Sequence, residues 1–170
     1  QQPVFRDALL EVASHFDHDL DQPLLEVMWA RPGSEESSLL QQTDYGQAAL
    51  FALQVALWQL WTSWGVRADR VLGHSGGELA AAYATGVLDL ADACRLVAVR
   101  GRLMQALPTH GVMASLEAGA SEVDAAREAL QVADKVGVAA WNAPTQTVVS
   151  GDADAVEAMV VHFAAQGRKA

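Results

Sequence analysis

Residues 73–77 read Gly-His-Ser-Gly-Gly, a serine set among glycines, and this is the first point in the chain where residue types and spacing suggest chemistry. A short buried strand is expected over residues 70–73 and a helix rich in Ala and Leu over 78–85, so Ser75 falls in the turn between them. Such a turn holds the serine in strained backbone geometry with Oγ exposed, and the flanking Gly73 and Gly77 let strand and helix approach closely. The amide of Gly76 and the positive end of the helix then face the oxyanion that forms when Ser75 attacks a carbonyl carbon. The plainer alternative is a glycine-rich turn with a passive serine. The second candidate is Arg100. It falls amid Leu96, Val97, Leu103 and Met104, an apolar stripe on a helix expected over residues 90–107, whereas Arg95 and Arg102 face elsewhere. An arginine on an apolar face is costly unless paired. It either forms a structural ion pair with an acid such as Glu78 or grips a substrate carboxylate with two parallel hydrogen bonds, a geometry lysine lacks.

The elements that must position these residues can be traced outward. An amphipathic helix is expected over residues 3–15, with Val4, Phe5, Leu9, Leu10 and Val12 on its apolar side. A short apolar segment follows at 24–29 and a polar loop at 31–38. The long helix at 45–64 carries apolar residues around much of its surface (Leu50, Phe51, Leu53, Leu57, Leu60, Trp61, Trp64), so it is expected to be well buried and to stop at Gly65. Gly86 is a natural helix C-cap, and Asp89 or Asp92 can cap the helix that bears Arg100. A break at 108–111 divides residues 1–109 from 110–170. Beyond it the order is strand (112–116), helix (121–133), strand (136–141), turn (142–146), strand (147–150) and helix (153–166), a ferredoxin-like unit without its last strand.

Composition narrows the function classes. The 170 residues are 51% hydrophobic and 19% charged, which suits a packed core rather than disorder. The net charge of -10 disfavours nucleic acid, which needs a basic face. No apolar run reaches the length of a membrane span, and no signal peptide is evident. The single cysteine, Cys94, cannot form an internal disulfide and fits a reducing cytoplasm. No metal spacing is seen; His15 and His18 lie three apart but lack a third ligand.

With these residues in view, the chain resembles the malonyl-type acyltransferases of modular polyketide synthases, fatty acid synthases and free-standing transacylases. The resemblance rests on residues 73–83 (GHSGGELAAAY), 86–88 (GVL), 99–104 (VRGRLM), 111–114 (GVMA), Asn142-Ala143-Pro144 and 148–152 (VVSGD), in order along nearly the whole sequence. It implies an α/β fold: an α/β-hydrolase-like large subdomain carrying an inserted ferredoxin-like small subdomain, both incomplete here. It also implies a ping-pong reaction. Ser75 attacks an acyl-CoA thioester, CoA leaves, and the acyl group passes to the phosphopantetheine thiol of an acyl carrier protein, with no bound cofactor and with neighbouring synthase domains as partners. Arg100 matches the family's carboxylate-binding arginine. Gln47 and Asn142 match polar residues near the acyl pocket, although Asn142 can equally be a turn residue before Pro144. His74 matches a residue lining the pocket. The segment 42–47 (QTDYGQ), running on to residues 50–53, is similar to that of malonyl-selective domains, which points to malonyl-CoA. Gly76 departs from the larger residue usual after the serine.

The family's catalytic histidine and its N-terminal oxyanion loop match nothing among these residues, and none of the five histidines (His15, His18, His74, His110, His162) lies in a matching motif. The expectation is a fragment of a multidomain protein, with little activity by itself, since general-base assistance is worth ~10²–10⁴ in rate. A serine esterase shares the turn but has no use for a buried arginine. A non-catalytic remnant that docks carrier protein is the other alternative. Both CoA and carrier proteins are acidic, so a local basic patch, built from Arg67, Arg70 and Arg102, is expected beside the serine.

Overall fold

The computed structural model of the chain describes residues 2–108 and 110–170, so Thr109, inside the expected junction, lies outside the described residues. The backbone forms two compact units, one ending at Leu107 and one beginning at Pro108, each with its own core.

In the first unit every described regular element is helical: α1 (Pro3–Ser14), α2 (Leu24–Met28), α3 (Glu35–Ser38), a 3-10 turn (Leu39–Gln41), α4 (Thr43–Ser63), α5 (Gly77–Ala84) and α6 (Leu90–Gln105). α4 is the central member. Its small and aromatic positions Ala48, Phe51, Ala52, Val55 and Ala56 are buried against α1 (Leu9, Val12) and α6 (Ala93, Cys94, Val97). The helix stops follow local chemistry. Gly65 and Gly86 take the left-handed backbone that closes α4 and α5. The Asp89 carboxylate accepts from the Asp92 amide at 2.8 Å and starts α6.

Four expectations are corrected in this unit. Residues 70–73 form no strand and are not buried; Leu72 is 98% exposed. A strand is buried only by its neighbours in a sheet, and this unit offers none among its described residues. α4 is buried on one face only: Leu50, Leu53, Leu57, Trp61 and Trp64 stay on the surface, because α1 and α6 cover the opposite stripe. On α1, Val4 and Leu10 are exposed, and the core face is Ala8, Leu9, Val12 and Ala13. The polar stretch 31–38 ends in the single turn α3, because the Ser34 hydroxyl caps it by accepting from the Ser37 amide at 3.2 Å.

The second unit runs β1 (Gly111–Leu116), α7 (Ala120–Ala129), β2 (Val136–Ala143), β3 (Gln146–Asp152) and α8 (Ala153–Ala164), the element order read from the sequence. The sheet has the order β1-β3-β2 with both pairings antiparallel. Leu116, Val136 and Val149 meet Val123, Met159 and Phe163 from the helices in the core. α7 is shorter than expected because Gln131 adopts a left-handed φ of 57° and halts it. The Arg127 guanidinium then closes the loop to β2, donating to the Ala133 and Val136 carbonyls at 2.9 and 2.6 Å. Asn142 lies within β2 rather than in the turn, since Ala143 pairs with Gln146 and the hairpin narrows to Pro144-Thr145.

Candidate active site

Ser75 is the residue before Gly76, the N-cap of α5, and its φ is 54°. A left-handed backbone costs a non-glycine residue about 1–2 kcal/mol, so the fold must enforce it. It does so through the turn itself. The Gly77 amide donates to the His74 carbonyl at 3.0 Å and the Glu78 amide to the Ser75 carbonyl at 3.1 Å. Gly73 permits the tightness, because a Cβ there would lie 2.3 Å from the Glu78 backbone. Gly77 is under no such demand; a Cβ there meets only the Gln54 side chain, at 3.9 Å, so the close approach expected of both flanking glycines belongs to Gly73 alone. Gly76 has helical φ and ψ of -58° and -22°, and a Cβ would come no nearer than 4.0 Å to Arg100 Nη1. Among the described residues the Gly76 amide donates to no backbone carbonyl of the turn.

Ser75 opens into a cavity of about 330 Å³ within the first unit, walled by Leu50, Phe51 and Leu79 on its apolar side and by Gln47, His74 and Arg100 on its polar side. α5 is held over α4 by the Phe51–Tyr83 edge contact, with centroids 6.5 Å apart, and by the Gln59 amide donating to Tyr83 Oη at 3.1 Å. That contact sets the serine above the wall of the cavity that α4 supplies.

Arg100 reaches the serine from α6. Its Nη2 donates to Ser75 Oγ at 3.1 Å, and its Nη1 donates to Gln47 Oε1. The expected ion pair with Glu78 does not form; among the described residues no carboxylate lies within 4.0 Å of this guanidinium. The surroundings of Arg100 also differ from the expected stripe. Leu96, Leu103 and Met104 are exposed, and α6 buries Ala93, Cys94, Val97, Ala98 and Gly101 instead. Arg100 therefore stands at the margin of the core, half-buried, where a guanidinium can be held and still be reached. Gln47 and His74 line the same cavity as Ser75 and Arg100, whereas Asn142 belongs to the second unit, exposed on β2.

Sequence reasoning missed two contributors. Gly101 lets α6 touch α4: a Cβ there would sit 2.8 Å from Asp44 Cα. A glycine inside a helix was the available signal. Met104, read only as apolar, accepts from Gln47 Nε2 through its sulfur at 3.4 Å. Of the arginines expected in a basic patch, Arg102 pairs with Asp19 at 3.5 Å and Arg67 borders a depression with Trp58, Thr62 and Thr85. Burial pushes the Cys94 thiol up to about 12, which leaves it an inert core residue. No cluster of three metal-ligating side chains occurs among the described residues, nor is any helix there long and apolar enough to cross a membrane.

Residues 1–170 match the acyl transferase domain model. The PKS-NRPS hybrid synthetase acdB of Aspergillus candidus is 58% identical over 166 residues, which are 98% of this chain and 7% of that protein. The mycoketide-CoA synthase of Mycobacterium tuberculosis is 47% identical over 167 residues, covering 98% of this chain and 4% of that protein. Among solved structures, the acyltransferase domain from the second module of the salinomycin polyketide synthase superposes with a TM-score of 0.87 at 46% identity, over 99% of this chain and 38% of that one. An acyl carrier protein S-malonyltransferase from Vibrio cholerae gives 0.80 at 30% identity, over 96% of this chain and 54% of that one.

Proposed function

The chain belongs to the acyl transferase domain family of polyketide synthases and malonyl transacylases, an acyltransferase carried within a larger protein, and from that premise we propose that it loads a malonyl extender unit from CoA onto Ser75 and hands it to an acyl carrier protein. One observation carries the reading: a serine held in left-handed backbone at a helix start, with its Oγ 3.1 Å from a guanidinium that has no carboxylate partner among the described residues.

The chemistry follows from those groups. Ser75 Oγ attacks the thioester carbonyl, the C–S bond breaks, and the CoA thiolate leaves and takes up a proton. The Gly76 amide and the N-terminal end of α5 stabilise the oxyanion. Arg100 grips the distal carboxylate of the malonyl group, and Gln47 and His74 line the same cavity. The phosphopantetheine thiol of the carrier protein then attacks the Ser75 ester, restoring the hydroxyl. A general base takes the Ser75 proton and passes it to the departing thiolate. In the same reading, residues 1–109 form part of an α/β-hydrolase-like large subdomain, and residues 110–170 part of a ferredoxin-like small one. A neutral-ester hydrolase is disfavoured, because an uncompensated arginine in the pocket would cost binding of an apolar acyl group.

Intact-mass analysis of the full-length domain after exposure to malonyl-CoA tests the proposal. A malonyl adduct that maps to Ser75 and vanishes in Ser75→Ala is expected, together with a drop of at least about a hundredfold in loading for Arg100→Ala, a loss in keeping with removing one charged anchor. Loading that persists without Arg100 would return the case to an esterase.

A further inference from the structure

Gln47 is held more firmly than a pocket-lining residue needs to be. Its carbonyl oxygen accepts from Arg100 Nη1 and its amide nitrogen donates to Met104 Sδ at 3.4 Å, so one side chain spans successive turns of α6. The two contacts fix the orientation of the amide, because a flipped amide would turn its NH2 donors against the guanidinium. The backbone builds this contact too. The Gly101 approach to Asp44 presses the first turn of α4, just before Gln47, onto the turn of α6 that carries Arg100. The Gln105 side chain adds a second tie there, accepting from the Thr43 amide at 2.7 Å.

The chemistry of the partner matters as much as its place. A neutral amide can aim a guanidinium without consuming its charge. Glutamate at the same position would meet the same donor and turn it into a closed ion pair with little attraction left for an incoming carboxylate. We infer that Gln47 is a positioning residue for charge selection: it holds Arg100 over Ser75 with its positive charge uncompensated, so that the site favours acyl groups bearing a free carboxylate over neutral ones. The inference rests on the reading of Ser75 and Arg100 proposed above and assigns to Gln47 the work of aiming Arg100 rather than of touching the acyl group.

The test compares acyl loading of Ser75 from malonyl-CoA and acetyl-CoA in the full-length protein, with kcat and KM measured separately and melting curves checking that each variant is folded. The malonyl-to-acetyl ratio is expected to fall in the order wild type, Gln47→Leu, Gln47→Glu, by at least about tenfold for the glutamate, which is the scale of one hydrogen bond to a charged group. The change should enter through KM for malonyl-CoA. Met104→Leu, which removes only the sulfur acceptor and preserves volume, is expected to move the ratio the same way by less. A Gln47→Glu protein with the wild-type ratio, or one that loses both substrates equally, overturns the inference. If wild-type Ser75 accepts neither acyl group, the nucleophile reading fails first and the inference falls with it.

Discussion

Ser75 stores conformational strain where the chemistry is proposed to occur. Its φ of 54° is a cost that neighbouring contacts must offset, and the geometry of Gly73 shows how closely the turn is wound. Function and stability should therefore part at this residue. Ser75→Ala keeps the strained backbone, whereas Ser75→Gly relieves it at the expense of a freer unfolded chain. The glycine variant is expected to be more stable than the alanine variant by up to about 1 kcal/mol, with both devoid of acyl loading. Denaturant unfolding of the pair checks this; an alanine variant as stable as the glycine one would mean that the strain is no larger than the unfolded-chain entropy that glycine adds. Arg100 makes the complementary point. Its cost is limited by half-burial and by two neutral acceptors, Gln47 and Ser75, so it needs no acidic partner in the protein.

At the scale of elements, the crossing of α4 and α6 decides the site. Gln47 and Arg100 are 53 positions apart and meet because Gly101 removes the side chain that would hold the helices apart. Gly101→Ala would drive a Cβ to 2.8 Å from the Asp44 backbone, which cannot yield as a flexible side chain can. It is expected to destabilise the protein by about 1–3 kcal/mol and to lower malonyl loading more than this loss of folded protein accounts for. Thermal unfolding and loading assays on the same sample separate the two effects. α5 is positioned in the same manner, by Tyr83 meeting Phe51 and Gln59 of α4. α4 thus supports both Ser75, the proposed nucleophile, and Arg100 from one surface.

At the scale of the whole chain there are two cores, and among the described residues it is Glu122 of the second unit whose carboxyl is shifted far from its ordinary value. The Arg168 guanidinium, donating to Glu122 at 2.6 Å, and the Gly119 amide at 2.9 Å hold that carboxyl at about 2, below its ordinary 4.5. A depressed carboxyl stabilises the folded state fully above its unfolded value and loses that contribution as pH falls through the folded one. The second unit should therefore lose stability between about pH 4.5 and 2, and Glu122→Gln should flatten that slope. Because the pair is exposed, the effect is expected to be small and to shrink in high salt. Unfolding followed against pH, with and without the substitution, checks both points. A slope that survives in Glu122→Gln would assign it to other carboxylates.

Much of this protein was legible in the residues alone. Gly65, Gly86 and Asp89 mark helix ends because their chemistry is local, and the βαββα order of the second unit follows from alternation and turn residues that read the same in any context. The serine turn was legible for the same reason, and the family followed from motifs in order along the chain. Contacts between distant positions were not. Whether Leu50, Trp61 and Leu72 are buried depends on which neighbours cover them, and hydrophobicity alone cannot specify a neighbour. The partner of Arg100 proved to be Gln47 rather than Glu78, a result of the Gly101 crossing; the glycine is visible inside its helix, but not which helix it meets. Periodicity along one helix says which residues share a face; only packing against a second helix decides what that face meets.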